Sequence, residues 1–197
     1  ECIKRNWAKN ITIFCFTNNF GYPNMQHIFD LLKQFKSVIY KCSMELWGFK
    51  NNYIRYPSDW EEVHKNIKLI SKLPNGNIGL NATMNPINVG YAGDLVRGAR
   101  SLKAQTSFMY LNRPRWFTLK SIPSDILDRH LIKLYSEPKD IQKECQKIID
   151  LLEKVEFDKT KYEEMIECIK RRDKKRGDNI LKYFPEWAPY FKDKHYE

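Results

Sequence analysis

The sequence has few residues that build covalent or metal cross-links, and it lacks long apolar runs. Its five cysteines stand far apart, which argues against a zinc or iron–sulfur site made from these cysteines alone. No stretch of about 18 apolar residues occurs, so we expect no transmembrane helix and no membrane partner. Because the number of cysteines is odd and no two are closely spaced, we expect a reduced, cytoplasmic protein. The chain also begins without methionine or an apolar leader, from which we expect no secretory signal and a fragment of a longer protein.

Positive charge is in excess, and its distribution allows two interpretations. The formal net charge is +10, and much of it lies in the segment IKRRDKKRGD near the C-terminus. Such a cluster can bind nucleic acid. It can also be the solvated last turns of a helix, where cations favour the helix dipole and Gly177 supplies the C-terminal cap. We favour the second interpretation.

Hydrophobic patterning alternates between strand and helix over the first part of the chain. Segments rich in β-branched and aromatic residues predict four strands, each followed by polar or turn residues; they cover residues 11–17, 37–46, 78–84 and 106–112. Segments between them show helical spacing. This alternation predicts right-handed βαβ units and a parallel sheet. Half of a (β/α)₈ barrel and a doubly wound sheet both fit, although no Gly-rich phosphate loop supports a Rossmann fold.

After this region the pattern is helical only. Apolar stripes predict helices over 124–136, 138–154 and 159–176. We therefore predict an α/β chain with two domains: a partial (β/α) barrel with parallel strands over 1–120 and a C-terminal helical extension over 121–197. The aromatic segment 179–191 is predicted to pack on the body of the protein.

Polar residues follow the predicted strands, where parallel α/β folds bind their ligands. The candidate cofactor-binding residues are Thr17, Asn18, Ser43, Glu45, Arg55 and Asn81. The set is largely uncharged and suits a ribose or an amino-acid head group, while a guanidinium binds a carboxylate at two points. Structural roles are open for each: Asn81 as a turn former, Glu45 in a surface ion pair with a lysine, Arg55 stacked on a neighbouring tyrosine. None of the four histidines follows a strand, and we predict none to be catalytic.

Three stretches resemble the middle and C-terminal part of radical SAM proteins of the twitch-domain type. They are FCFTNNFG, KCSMELWGFKNNYIRYPSDWEEVHKNIKLI and IGLNATMNPINVGYAGDLV. The later segments SFMYLNRPRWFTLKSIP and IKRRDKKRGDNILKYFPEW are similar to that group as well, and the most specific pieces are NNYIRYPSDWEEV and RRDKKRGDNILKYFPEW. In that family one strand ends in Thr-Asn-Gly and the next carries Ser-x-Asp. Here Asn19 and Glu45 stand at the third position of each motif.

The resemblance implies a cofactor and a reaction. S-adenosylmethionine (SAM) would bind the open iron of a [4Fe–4S] cluster and yield a 5′-deoxyadenosyl radical that abstracts hydrogen from a substrate. It implies that Ser43 and Arg55 meet the methionine or ribose part, Asn81 the ribose, and Glu45 a ribose hydroxyl. The family's CxxxCxxC loop is not in this chain, so we predict no metal ligand here and expect the loop before residue 1.

Three functions remain open on the sequence. The first is the C-terminal portion of a radical SAM enzyme, whose fragment alone would be inactive and whose substrate is a peptide, a nucleotide or a small metabolite. The second is a non-enzymatic basic α/β module that binds nucleic acid through its basic helix. The third is an α/β domain whose polar strand ends bind another small ligand.

Overall fold

A computed structural model describes residues 1–191 of the protein. Residues 192–197, which include His195 and the end of the predicted helical extension, lie outside the described residues. Within residues 1–191, no helix is both long enough and apolar enough to cross a membrane. No disulfide joins any two cysteines of the described chain.

Strands and helices alternate as the sequence pattern predicts, with shifted ends. The strands are β1 (Thr12–Thr17), β2 (Ser37–Ser43), β3 (Gly76–Met84) and β4 (Gln105–Tyr110). The helices are α1 (Met25–Leu32), α2 (Lys50–Ile54), α3 (Trp60–Ile70), α4 (Ala92–Ser101), α5 (Ser124–Tyr135), α6 (Lys139–Leu152) and α7 (Lys159–Arg176). Helix α2 is not predicted from the sequence, because KNNYI is too short and too polar to show an apolar stripe.

The four strands form one sheet in the order β1-β2-β3-β4, which is their order in the chain. β1 pairs with β2 in parallel, and β2 pairs with β3 in parallel. The prediction of an α/β fold with a parallel sheet is confirmed. The order does not reverse anywhere in this sheet, as it does at the switch point of a doubly wound fold.

One face of the sheet forms a hydrophobic core with α1 and α3. Alternate residues of β2 and β3 are buried against Met25 and Leu32 of α1 and Ile70 of α3; these strand residues include Val38 and Tyr40. The burial alternates because successive side chains of a strand point to opposite faces. Both helices therefore cover the same face of the sheet.

The opposite face, which we call the open face, carries Phe14, Phe16, Lys41, Ser43 and Asn81, by strand alternation and register. Phe14 and Phe16 are 65% and 72% exposed. Parallel sheets are usually covered on both faces, so two exposed phenylalanines on neighbouring positions of one strand are unusual.

By compactness the chain divides into two units, each built from two segments. The first is Glu1–Ala82 with Leu95–Phe108, and the second is Thr83–Asp94 with Met109–Glu197. The predicted domain boundary at residue 120 stays a prediction.

The second unit has its own core, and the aromatic segment after α7 belongs to it. Phe184 and Trp187 are fully buried, which agrees with the predicted packing of this segment. Helix α7 ends at Gly177 in the left-handed conformation, and the buried Asp173 carboxylate accepts the Ile180 backbone N–H at 2.7 Å. Gly177 thus caps α7, as the sequence pattern indicates.

Candidate functional site at the carboxyl end of the sheet

Ser43, the last residue of β2, lies beside Asn81, which is followed by three more residues of β3. They are register partners on β2 and β3, and the Met44 N–H donates to the Asn81 carbonyl at 2.9 Å. Both side chains lie on the open face and are half-buried. No described residue hydrogen-bonds to the Ser43 hydroxyl or to the Asn81 side-chain amide. These two polar groups can therefore donate to and accept from a ligand.

Glu45 and Arg55 form an ion pair just after β2. Arg55 Nη1 donates to both Glu45 carboxylate oxygens, at 2.9 and 2.8 Å. The Glu45 side chain is 8% exposed and the Arg55 side chain 27%. In the described chain only Glu45 accepts a hydrogen bond from this guanidinium. The N–H groups of Nη2 and Nε are thus available to donate to a carboxylate or a hydroxyl.

Helix α2 places the two partners of this pair. Arg55 is its C-terminal cap residue, and its backbone N–H donates to the Asn51 carbonyl. The Asn51 side-chain oxygen turns back and accepts the backbone N–H groups of Glu45 and Leu46, each at 3.2 Å. Asn51 is almost fully buried, so one residue fixes both the end of β2 and the start of α2. The sequence reasoning did not single out Asn51, because an isolated asparagine in a polar run carries no distinguishing signal.

The pair lies close enough to Cys42 to act on its thiol electrostatically. Burial raises the pKa of Cys42 to about 12, while Arg55 opposes this and Glu45 adds to it. Cys42 is fully buried on the helix-covered face of β2. A thiol with so high a pKa stays protonated and is a poor nucleophile.

Thr17 and Asn18, the candidates after β1, have local structural partners. The Thr17 hydroxyl contacts the Tyr22 hydroxyl at 2.5 Å and accepts the Asn19 N–H at 3.0 Å. The Asn18 side chain accepts the Phe20 N–H at 3.2 Å. Thr17 faces the side of the sheet that the helices cover, whereas Asn18 is exposed. Ser43 and Asn81 share the open face, the Glu45–Arg55 pair follows β2, and Thr17 lies on the helix-covered face.

Asn19 holds the turn after β1 in place. It is fully buried with a positive φ of 59°, a conformation that asparagine tolerates better than most residues. Its side chain donates to Cys42 Sγ at 3.2 Å and accepts from the Tyr40 hydroxyl, and its carbonyl accepts from Asn66 at 2.9 Å. These bonds tie the turn to β2 and α3. Asn19 thus forms this turn without a glycine.

A close approach of α4 to the loop after β2 supports the same end of the sheet. An added Cβ on Gly98 would lie 2.0 Å from the Trp47 ring. Trp47 in turn packs edge-on against Trp60, with ring centroids 5.1 Å apart. Gly98 is therefore required for packing, although in the sequence it resembles only a helix-weakening residue.

The chemistry of the site is that of a binding site for a polar organic molecule. It offers a hydroxyl, an amide and a guanidinium whose orientation is fixed by a carboxylate. Among residues 1–191, no group of three His, Cys, Asp or Glu side chains could hold a metal ion. Nor does any histidine lie beside Ser43 in the contacts that the described chain shows, so activation of this serine as a nucleophile has no support.

Comparison with models of known protein families gives no match, and no curated protein matches the chain either. The class that can be stated is therefore structural: an α/β protein with a four-stranded parallel sheet and polar side chains gathered at its carboxyl edge.

Proposed function

We propose that this chain is the C-terminal portion of a radical SAM enzyme and that the carboxyl edge of its sheet binds S-adenosylmethionine. The observation that carries the proposal is that Ser43 and Asn81 are register partners whose side chains have no hydrogen-bond partner among the described residues. The Glu45–Arg55 ion pair follows Ser43 in the chain. The quoted sequence resemblance points to the same residues. We also propose that a [4Fe–4S] cluster is held by cysteines that are not among the residues of this chain.

We further infer that the sheet is part of a (β/α) barrel. Two features support this: the strand order follows the chain order, and α1 and α3 cover the same face. In a barrel the other face of each strand lies inside. The exposure of Phe14 and Phe16 on the open face is consistent with an interior face whose remaining strands are contributed by other residues.

The donor set fits SAM on chemical grounds. The free nitrogens of Arg55 match the methionine carboxylate, which a guanidinium binds in a planar, two-point fashion. The Ser43 hydroxyl and the Asn81 amide match the ribose hydroxyls, which both donate and accept. Both Glu45 oxygens already accept from Arg55 Nη1, so Glu45 orients the guanidinium and has less freedom to bind the ribose.

When bound at a reduced cluster, SAM would supply a 5′-deoxyadenosyl radical for hydrogen abstraction from the substrate. The residues of this chain contribute binding and orientation. A fixed guanidinium and two positioned polar side chains reduce the freedom of the bound molecule before it reacts. The fixed ion pair also needs no reorganisation when ligand arrives.

Equilibrium dialysis with radiolabelled SAM tests the proposal. We expect saturable binding that S-adenosylhomocysteine displaces, because it keeps the carboxylate and the ribose. We expect ATP to compete poorly, because the site supplies one guanidinium and no phosphate-binding loop. Arg55→Gln should weaken SAM binding by about tenfold or more, since a charge-assisted hydrogen bond contributes about 1.5–3 kcal/mol.

The matched control is Arg129→Gln, which removes an exposed arginine from α5 and should leave the affinity unchanged. Displacement by ATP as effective as by S-adenosylhomocysteine would contradict the proposal. So would equal losses of affinity in the two arginine variants.

A further inference from the structure

A cavity in the second unit is lined by residues that have no role in the proposed function. It has a volume of about 530 Å³ and lies where β4 ends, between the segment 110–120 and the junction of α6 with α7. We call it the basic cavity. Its volume falls in the range of about 300–1,000 Å³ that is typical of small-molecule sites.

Cations line the basic cavity without carboxylates to balance them. They are Arg115, Lys120, Lys154 and Lys161, and none of the described lining residues is acidic. Lys161 is paired, since its Nζ lies 2.7 Å from the Asp158 carboxylate. The other three have no ion-pair partner among residues 1–191. Three like charges around one cavity repel one another and favour the binding of an anion.

Two acidic groups lie near the basic cavity but are engaged elsewhere. Asp158 caps α7 by accepting the Lys161 backbone N–H at 3.1 Å, in addition to its bond to the Lys161 amine. Asp150 accepts from the Gln146 side chain at 2.7 Å and contributes to the raised pKa of Tyr110, after the larger effect of burial. A lining tyrosine that stays protonated can donate a hydrogen bond to a ligand.

The rest of the lining is apolar except for Asn112, Thr118 and the Tyr110 hydroxyl. Leu111, Leu119, Leu151 and Val155 form walls of the cavity, and Leu151 is 36% exposed. Apolar surface of this kind gains free energy when an apolar ligand covers it. A phosphate ion alone would leave these walls in contact with water.

We propose that the basic cavity is a binding site for an organic anion that has an apolar or aromatic body. The body would pack on Leu119, Leu151 and Val155, and the anionic group, a carboxylate, sulfonate or phosphate, would bind Arg115, Lys120 and Lys154. It shares no residue with the proposed SAM site, because its residues belong to the second unit and those of the proposed SAM site to the first.

The test uses the 197-residue protein and two fluorescent probes of similar shape. One is 8-anilinonaphthalene-1-sulfonate, which is anionic; the other is the uncharged N-phenyl-1-naphthylamine. We expect saturable binding of the sulfonate and binding of the neutral probe at least about tenfold weaker, because charge-assisted hydrogen bonds are lost. The double variant Arg115→Gln/Lys154→Gln should weaken sulfonate binding about tenfold or more on the same grounds.

The control is Lys174→Gln/Lys175→Gln, which removes the same charge from exposed positions of α7 outside the cavity. Its sulfonate affinity should match that of the unmodified protein. Lys154→Glu supplies a second variant at an exposed position, and it should weaken binding further through repulsion. Circular dichroism checks that every variant is folded. The proposal is overturned if the two double variants behave alike, if the neutral probe binds as tightly as the sulfonate, or if sulfonate binding does not saturate.

Discussion

The Glu45–Arg55 ion pair can be tested by a double-mutant cycle that measures how strongly the two residues are coupled. The variants are Glu45→Gln, Arg55→Gln and the combination of both. Both N–O distances are short, the carboxylate is 8% exposed and the guanidinium 27%. An exposed pair contributes under about 1 kcal/mol, whereas breaking a buried pair costs about 3–5 kcal/mol. A partly buried pair falls between, and we expect a coupling free energy of about 2 kcal/mol.

The single variants are expected to differ in a definite order. Arg55→Gln removes the guanidinium that donates to both oxygens of the nearly buried Glu45 carboxylate, and it should cost more than Glu45→Gln, which leaves a guanidinium that water can reach. The double variant should lose less stability than the sum of the two. Free energies of unfolding are obtained from urea denaturation followed by tryptophan fluorescence and circular dichroism.

Salt distinguishes a shielded pair from a surface pair. Because Glu45 is nearly buried, raising NaCl to about 1 M should leave most of the coupling in place, whereas exposed charges are screened. A coupling below about 0.5 kcal/mol, or one that salt removes, would refute the reasoning that this pair is a fixed part of the site.

Three further predictions concern other parts of the molecule. Burial lowers the pKa of His130 to about 4 from 6.5, so below pH 6.5 the unfolded chain binds more protons than the folded protein. The free energy of unfolding should therefore fall by about 2 kcal/mol between pH 6.5 and 5. Urea titrations at several pH values measure this. Gly98→Ala should lower the free energy of unfolding by about 1–3 kcal/mol, because the new methyl group overlaps the Trp47 ring. Binding of random duplex DNA at about 0.15 M salt should be weak, and a salt titration should show little change when three exposed cations of α7 become glutamine: Arg171, Lys174 and Lys175.

Each of these three predictions has a control variant or a result that would contradict it. His130→Asn removes the buried imidazole, and its stability should fall less steeply below pH 6.5; an unchanged slope would contradict the assignment. Ser101→Ala, in the same helix as Gly98, should change stability by less than about 0.5 kcal/mol, and an equal loss would show that packing on Trp47 is not the cause. Sub-micromolar DNA binding that the three substitutions abolish would favour the nucleic-acid function over the enzyme.

The strands could be predicted because their pattern is local, whereas the register and the turns could not. Alternation in SVIYKCS identifies β2 and the two faces of its residues. That Ser43 pairs with Asn81 depends on how β2 and β3 align, which is fixed by side chains packed between separate elements. The positive φ of Asn19 depends likewise on Cys42 and Tyr40, which follow it in the chain.

The sequence names the candidate residues but not the hydrogen bonds between them. Polar residues at strand ends indicate Ser43, Glu45 and Asn81 directly. The sequence pattern did not indicate that Glu45 binds Arg55, because the contact depends on the short helix α2 and on the two bonds of Asn51. A short polar helix between two apolar segments has no periodic signal of its own.

The most direct test of the central claim is SAM binding by two pairs of matched variants. Ser43 and Ser37 lie on the same face of β2, at its carboxyl and amino ends. Asn81 and Asn77 share a face of β3, with Asn77 nearer the amino end of that strand. The account predicts that Ser43→Ala and Asn81→Ala each weaken SAM binding several-fold, because each removes hydrogen bonds of about 1 kcal/mol. It predicts that Ser37→Ala and Asn77→Ala have no effect. Equal effects at both ends of the strands, or none at either end, would contradict it.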